Sequence, residues 1–153
     1  MSSQGKKRGL VLAPGEGAVH MTPYGDTLTW KTGEGKTEGG YSLHERTAPP
    51  GSASTPHTHQ RVIEAFYVID GELEFQLGDE RLVGKPGSFV LAPKGVLHAW
   101  RNEGNQEARV LVIFSPSVQS GYFEEIDRLT RSAPDGRPVP RELTAIAQRY
   151  GMT

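Results

Sequence analysis

Gly51-Ser-Ala-Ser-Thr-Pro-His57-Thr-His59-Gln-Arg-Val-Ile-Glu64-Ala-Phe-Tyr-Val-Ile-Asp-Gly71 is the stretch on which the fold turns. His57 and His59 are two apart, so on extended backbone both imidazoles leave the same face. The residues between His59 and Glu64 are enough to turn the chain, and Glu64 then returns from the next strand toward the same point. A second stretch, Gly87-Ser-Phe-Val-Leu-Ala-Pro93-Lys-Gly95-Val-Leu-His98-Ala-Trp-Arg-Asn102, doubles back through its Pro-Lys-Gly turn and delivers a third imidazole, His98. Three imidazoles and one carboxylate suit one borderline divalent first-row ion: Fe, Mn, Ni, Co, Cu or Zn. Imidazole must be neutral to bind, so affinity is expected to fall below about pH 6.

Working outward, strand signals dominate. Ala65 to Asp70 is apolar and aromatic and reads as a strand buried on both sides or nearly so. Leu73, Phe75 and Leu77 alternate with Glu74 and Gln76, a half-buried strand of period two. Arg81 to Val83 pairs back across Gly78-Asp79; Ser88 to Ala92 and Leu97 to Asn102 flank the Pro-Lys-Gly turn; Arg109 to Phe114 is near-continuously apolar. Upstream, Thr27 to Trp30 and Tyr41 to Ala48 read as strands, with a loose turn from Gly33 to Gly40. Gly (19) and Pro (11) are spread along the chain, as tight turns between short strands require. After Pro116 the period changes. Phe123, Ile126 and Leu129 recur every three residues behind Ser120 as N-cap with acids in the first turn, and Leu143, Ile146, Ala147 and Tyr150 follow Pro138 and Pro140, with Gly151 at C′. The expected fold is all-β, roughly eight to ten strands, trailed by two short C-terminal α-helices. The expected organisation is a flexible tail over residues 1–9, a barrel over 10–117 and a helical extension over 118–153.

Composition narrows the chemistry. Lys and Arg (17) nearly balance Asp and Glu (18), for a net charge of −1, which gives no basic stripe for nucleic acid and no polybasic run for anionic lipid. There is no cysteine, so neither disulfides nor thiolate metal sites arise. The polar start lacks the apolar run of a secretory signal, and no apolar stretch is long enough to span a bilayer. A cytoplasmic protein with a small-molecule ligand or substrate is expected, with no nucleic-acid or membrane partner.

The two quoted stretches resemble the two signature motifs of the cupin superfamily. Gly51, His57, His59, Glu64 and Gly71 fill the first, and Gly87, Pro93, Gly95, His98 and Asn102 the second. The resemblance covers about Tyr41 to Phe114. It implies a small single-domain jelly-roll β-barrel holding a metal on His57, His59, Glu64 and His98. More narrowly, Tyr41-Ser-Leu-His-Glu-Arg-Thr-Ala-Pro-Pro-Gly51 and Glu64-Ala-Phe-Tyr-Val-Ile-Asp-Gly-Glu72 look like the quercetin-dioxygenase-like branch. Ile63 departs from it, since that branch often carries an acid there.

The implied function is a metal-dependent dioxygenase or related oxidoreductase acting on a small aromatic or enolic compound, with Glu64 as catalytic base. The rivals are a metal-dependent isomerase, cyclase or decarboxylase, and a non-catalytic binding or sensing protein, because the fold hosts all three. Phe66, Val68, Phe75, Val90, Trp100 and Phe114 are candidates for the barrel interior and the substrate pocket, although ordinary core packing explains most of them. His20 and His44 lie outside both motifs and read as surface or hydrogen-bonded residues. Tyr41, Glu45 and Arg46 lead into the site, but their parity does not carry across Pro49-Pro50. A homodimer is expected, because a small open barrel leaves edges to cover and the strand material from Leu10 to Trp30 is loosely tied to its own barrel. The helices are expected to pack on the barrel's outside, the alternative being a lid over its mouth.

Overall fold

Period-two alternation decides which side of each segment faces inward, and it is cleanest in Ala108–Ser115, where Ala108, Val110, Val112 and Phe114 are buried and the residues between them only partly so. The structure, a computed structural model, describes residues 8–152; most of the expected N-terminal tail, residues 1–7, lies outside the described residues. The elements are β1 (Ala18–Met21), β2 (Thr27–Thr32), α1 (Glu34–Thr37), β3 (Ser42–Ala48), β4 (Ile63–Asp70), β5 (Leu73–Leu77), β6 (Glu80–Gly84), β7 (Phe89–Ala92), β8 (His98–Arg101), β9 (Ala108–Ser115), α2 (Ser120–Ser132) and α3 (Pro140–Arg149). A 3₁₀ turn, Pro134–Gly136, joins the last two helices.

Six strands form one antiparallel sheet in the order β1-β2-β3-β9-β4-β7, and three form a second, β6-β5-β8. Their inner faces meet in one apolar cluster: Leu28, Phe66, Val68, Val90, Val110, Val112 and Phe114 from the larger sheet, Leu73, Phe75 and Trp100 from the smaller. Each large apolar side chain so buried is worth about 1.5–3 kcal/mol. This is the jelly-roll architecture expected.

Several local readings change. The Gly33–Gly40 turn contains the single helical turn α1. β4 begins at Ile63, and Tyr67 in its middle is 45% exposed, so this strand is buried on one face and not on both. Ser120 is the first helical residue of α2 rather than its cap, and the first turn holds no acid because Glu124 and Glu125 come one turn later. The N-terminal strands are tied to their own barrel, contrary to the reading of residues 10–30: β2 pairs with β3 from Thr27↔Thr47 to Thr32↔Leu43, and its Leu28 is fully buried.

Turn geometry has a measurable consequence at Gly71, between β4 and β5. Its φ is +71°, and a Cβ there would meet the carbonyl oxygen of Glu107 at 2.6 Å and Cα of Ala108 at 2.8 Å. Both obstacles are backbone, so neither can swing aside. Gly71→Ala is expected to cost about 1–3 kcal/mol, read as a lowered midpoint in denaturant unfolding. Asn102 ties down the loop at this same end of the barrel, just before β9. Its Nδ2 donates to the carbonyls of Ala48 and Gln106, both at 2.8 Å, and its Oδ1 accepts from the backbone N–H of Gly104 at 3.0 Å.

Candidate metal centre

The segment after Gly51 runs beside β8 and fixes two of the imidazoles. Gly51 donates to the Asn102 carbonyl, Asn102 to that of Ser52, and Ser54 to that of Trp100, each at 2.9 Å. His57 and His98 then exchange backbone hydrogen bonds of 3.0 and 2.9 Å as a directly opposed pair. Opposed residues present side chains on one side, and the two rings lie 4.4 Å apart. The His59 carbonyl accepts from Gly95 N–H at 2.8 Å, so the Pro93–Gly95 turn holds the third imidazole's backbone. Glu64 comes from the larger sheet, on β4 opposite Ala92 and Phe114. The ligand-type atoms of His57, His59, Glu64 and His98 all lie within 4.8 Å of one another.

Hydrogen bonding sets which nitrogens face the centre. His57 Nδ1 lies 2.7 Å from the Thr55 carbonyl and His98 Nδ1 2.9 Å from that of Val96. A carbonyl can only accept, so both Nδ1 atoms carry protons, and a neutral ring then presents a bare Nε2. Nε2 of His98, His59 and His57 stands 2.7, 3.0 and 3.7 Å from Glu64 Oε2. Lone pairs facing a carboxylate at these distances repel unless positive charge stands among them. The donor set therefore fits a cation, and second-site hydrogen bonds to backbone carbonyls are how metal-ligating histidines are oriented. His59, Glu64 and His98 are buried, whereas the His57 side chain is 20% exposed, so the cluster reaches solvent on the His57 side.

Protons compete for the same place. Burial pushes the Glu64 carboxyl up, but the imidazoles of His59 and His98 within hydrogen-bond reach, with His57 close behind them, outweigh it and hold the group well below the ordinary carboxylate range. Burial pulls His98 down, but the hydrogen bond and charge of Glu64 win and raise it above the ordinary histidine value. A metal must displace the His98 proton, so affinity falls as pH drops through that raised value, and the decline begins above about pH 6.5 rather than near 6. In the metal-free protein the stabilisation from His98 is complete below about pH 6.5 and lost as pH rises through its folded value; that from Glu64 is complete above about 4.3 and lost as pH falls through its lowered one. Zinc titrations at pH 6, 7 and 8 are expected to show affinity still rising with pH above 6.5. A plateau above pH 6.5 would show that His98 does not hold the competing proton.

A Cupin domain family model matches residues 44–114, the span from β3 to β9 that contains all four ligand candidates. Polyketide synthase CurC of Streptomyces cyaneus is 33% identical over 106 residues, 67% of this chain and 69% of that protein. The chain is a cupin. Germin-like protein 1-1 of Oryza sativa subsp. japonica is 32% identical over 115 residues, 72% of this chain and 51% of that one; the cupin spans between 34% and 51% of the length of the germin-like relatives it matches. Among solved structures, a Thermotoga maritima protein described as a predicted oxalate decarboxylase shares the fold with a TM-score of 0.66 at 18% identity, over 70% of this chain and 99% of that one.

Of the expected pocket residues, two stand beside the centre. The Phe114 ring lies 5.6 Å from that of His59, and Phe66 lies 6.5 Å from His98. Trp100 sits under the guanidinium of Arg46, 5.1 Å from its ring centroid. Val68, Phe75 and Val90 pack deeper in the cupin's apolar cluster, with Phe75 against Phe66 at 5.1 Å. Two interior polar residues, His44 and Arg46, also fall outside both motifs. His44, read as a surface or hydrogen-bonded residue, is fully buried between Trp30, Phe114 and Phe123, and Arg46 is buried with it. The signal was the Ser42–Ala48 alternation, legible once β3 pairs with β9 and Ser42, His44, Arg46 and Ala48 face inward.

The helices also reach the interior. Phe123 of α2 belongs to the core cluster, and α3 rests on α2 through Tyr150 against Tyr122. Beyond α3, Met152 forms a bridge with His59. Burial pushes the Tyr122 hydroxyl up to about 12. Among the described residues no helix is long and apolar enough to cross a membrane.

Proposed function

We propose that this cupin is a metal-dependent oxidoreductase of the dioxygenase type, akin to the quercetin-dioxygenase-like branch, acting on a small aromatic or enolic compound. The observation that carries the proposal is the convergence of three Nε2 atoms and one carboxylate within 4.8 Å at a place open to solvent past His57. His57, His59, Glu64 and His98 would hold one divalent first-row ion, which supplies Lewis-acid activation of a substrate oxygen and, where redox-active, electron transfer to dioxygen. The four side chains leave that ion about one net positive charge, which favours an anionic oxygen ligand. Phe114 and Phe66 provide the apolar wall beside it. Glu64 accepts the substrate's hydroxyl proton; a carboxylate held so low takes it only from a strongly acidified hydroxyl. Oxygen uptake by iron-, manganese- or nickel-reconstituted protein with a panel of catechols and flavonols tests the reading. Uptake matched by substrate loss supports it, and substrate conversion at an unchanged rate without oxygen overturns it.

That second outcome belongs to a metal-dependent isomerase, cyclase or decarboxylase, a reading favoured by the likeness to polyketide synthase CurC over most of that protein's length. We also propose that the chain forms a homodimer. The outer face of the six-stranded sheet exposes Tyr67, Phe89 and Leu91, with Tyr67 directly opposite Phe89, an apolar strip that a second copy would cover. Light scattering at micromolar concentration is expected to give twice the chain mass, and a monomer mass rejects the dimer.

A further inference from the structure

Beside the four-residue cluster, the barrel interior holds a second polar group that neither motif contains. His44 and Arg46 leave β3 on its inner face, opposite Val112 and Val110 of β9. His44 is fully buried, and Arg46 is 8% exposed. Arg46 Nη1 lies 3.2 Å from Oδ2 of buried Asp26, close enough to pair charges though not aligned as a hydrogen bond. Its Nη2 meets His44 Nε2 at 3.4 Å. The face of the guanidinium rests on Trp100. Thr22 Oγ1 donates to Asp26 Oδ1, so the acid is itself held in place.

The tautomer of His44 follows. Arginine has donors only, so His44 Nε2 accepts, and the proton of the neutral ring sits on Nδ1. Burial, and after it Arg46, keeps this imidazole well below the ordinary histidine value, hence neutral. Two N–H groups, Arg46 Nε and His44 Nδ1, are then buried with no hydrogen-bond partner. Such a donor costs roughly 1–3 kcal/mol against an apolar side chain, and the strand beside them carries valines at the facing positions. Both of these groups donate, which is what an acceptor oxygen requires, while the third unpartnered atom of the cluster, Asp26 Oδ2, is the anion already paired in charge with Arg46 Nη1. Their distance from the metal candidates is about one aromatic ring: Phe114 lies 5.9 Å from the His44 ring and 5.6 Å from that of His59. The wall on their other side is Phe123, 5.5 Å from His44 and part of α2 rather than of the barrel.

We propose that Arg46 and His44 form an oxygen-anchoring subsite that binds a carboxylate on the substrate, remote from the oxygen that faces His57, His59, Glu64 and His98. The substrate class is then a small aromatic or enolic acid rather than a neutral diol. This rests on the metal-dependent reading above. Asp26 occupies only one edge of the guanidinium and so balances its charge without blocking Nε, and a charge-assisted bond favours carboxylate over carbonyl.

The test uses zinc-reconstituted protein, which binds without oxidising, and three probes: 3,4-dihydroxybenzoate, catechol and benzoate. Calorimetry is expected to show 3,4-dihydroxybenzoate binding at least about 10-fold tighter than catechol, the scale of one charge-assisted hydrogen bond. Arg46→Lys keeps a cation for Asp26 but has no Nε–H, and His44→Phe keeps the ring stack but has no donor. Each removes one of the two donors and is expected to lower the ratio, and the double variant to bring it close to one, while zinc content stays as in the wild type. Nitrogen-15 spectra of His44 keep the subsite testable even if catechol fails to bind, which would count against the metal-dependent reading alone: benzoate is expected to shift Nδ1 in the wild type. An acid that binds no tighter than catechol, an advantage that survives the double variant, or a His44 signal indifferent to benzoate would overturn the proposal.

Discussion

Replacing His98 with alanine is expected to strip the protein of bound metal: about one ion per chain in the wild type, and a small fraction of that in the variant at equal free metal. His98 is the ligand candidate held most completely by its surroundings. Its backbone exchanges two hydrogen bonds with His57, its Nδ1 donates to the Val96 carbonyl, and its Nε2 comes closest to Glu64. Losing only the hydrogen bond behind a ligand costs roughly 10–100-fold in affinity, so losing the ligand itself is expected to cost more than about 100-fold. The fold is expected to survive, because His98 lies at one end of β8 and the strand's pairing with β5 is made by backbone. Elemental analysis after dialysis, with circular dichroism as the folding control, checks both parts. A full metal complement in folded His98→Ala would mean that the ion sits elsewhere.

Phe123→Ala is expected to be the most destabilising single change in the helical region, at about 3–5 kcal/mol. The residue lies on α2, yet its ring packs 5.6 Å from Trp30, 5.5 Å from His44 and 6.3 Å from Phe114. Removing it opens a cavity among aromatic rings that β2, β3 and β9 hold in place, so the site cannot easily collapse. Deleting residues 138–153 is expected to cost less, about 1–3 kcal/mol, because α3 has one buried residue, Ile146, and leans on α2 through Tyr150. Denaturant unfolding separates the two. A Phe123→Ala protein as stable as the wild type would show that α2 merely lies on the barrel.

How much of this was legible beforehand differs between parts of the chain. The strands of the two motifs and the residues that converge in the cluster could be read, because histidines two apart on a strand share a face whatever the tertiary detail. The Pro93–Gly95 turn likewise announces its own reversal. His44 and Arg46 could not be placed, since Pro49-Pro50 interrupts the parity count and only pairing with β9 restores it. The exposed Tyr67 in a run of apolar residues could not be foreseen either, because β4 lies inside a sheet whose outer face none of the described residues covers at that point. Phe123 looked like an ordinary helical stripe residue, and a stripe does not say which surface it meets.

The most direct test of the metal centre is a crystal structure of the reconstituted protein with anomalous data collected at the absorption edge of the added metal. One peak per chain is expected, about 2.0–2.3 Å from Nε2 of His57, His59 and His98 and from a Glu64 carboxylate oxygen. A metal-replete crystal with no peak among these four residues, or with its peak at other side chains, would contradict the assignment.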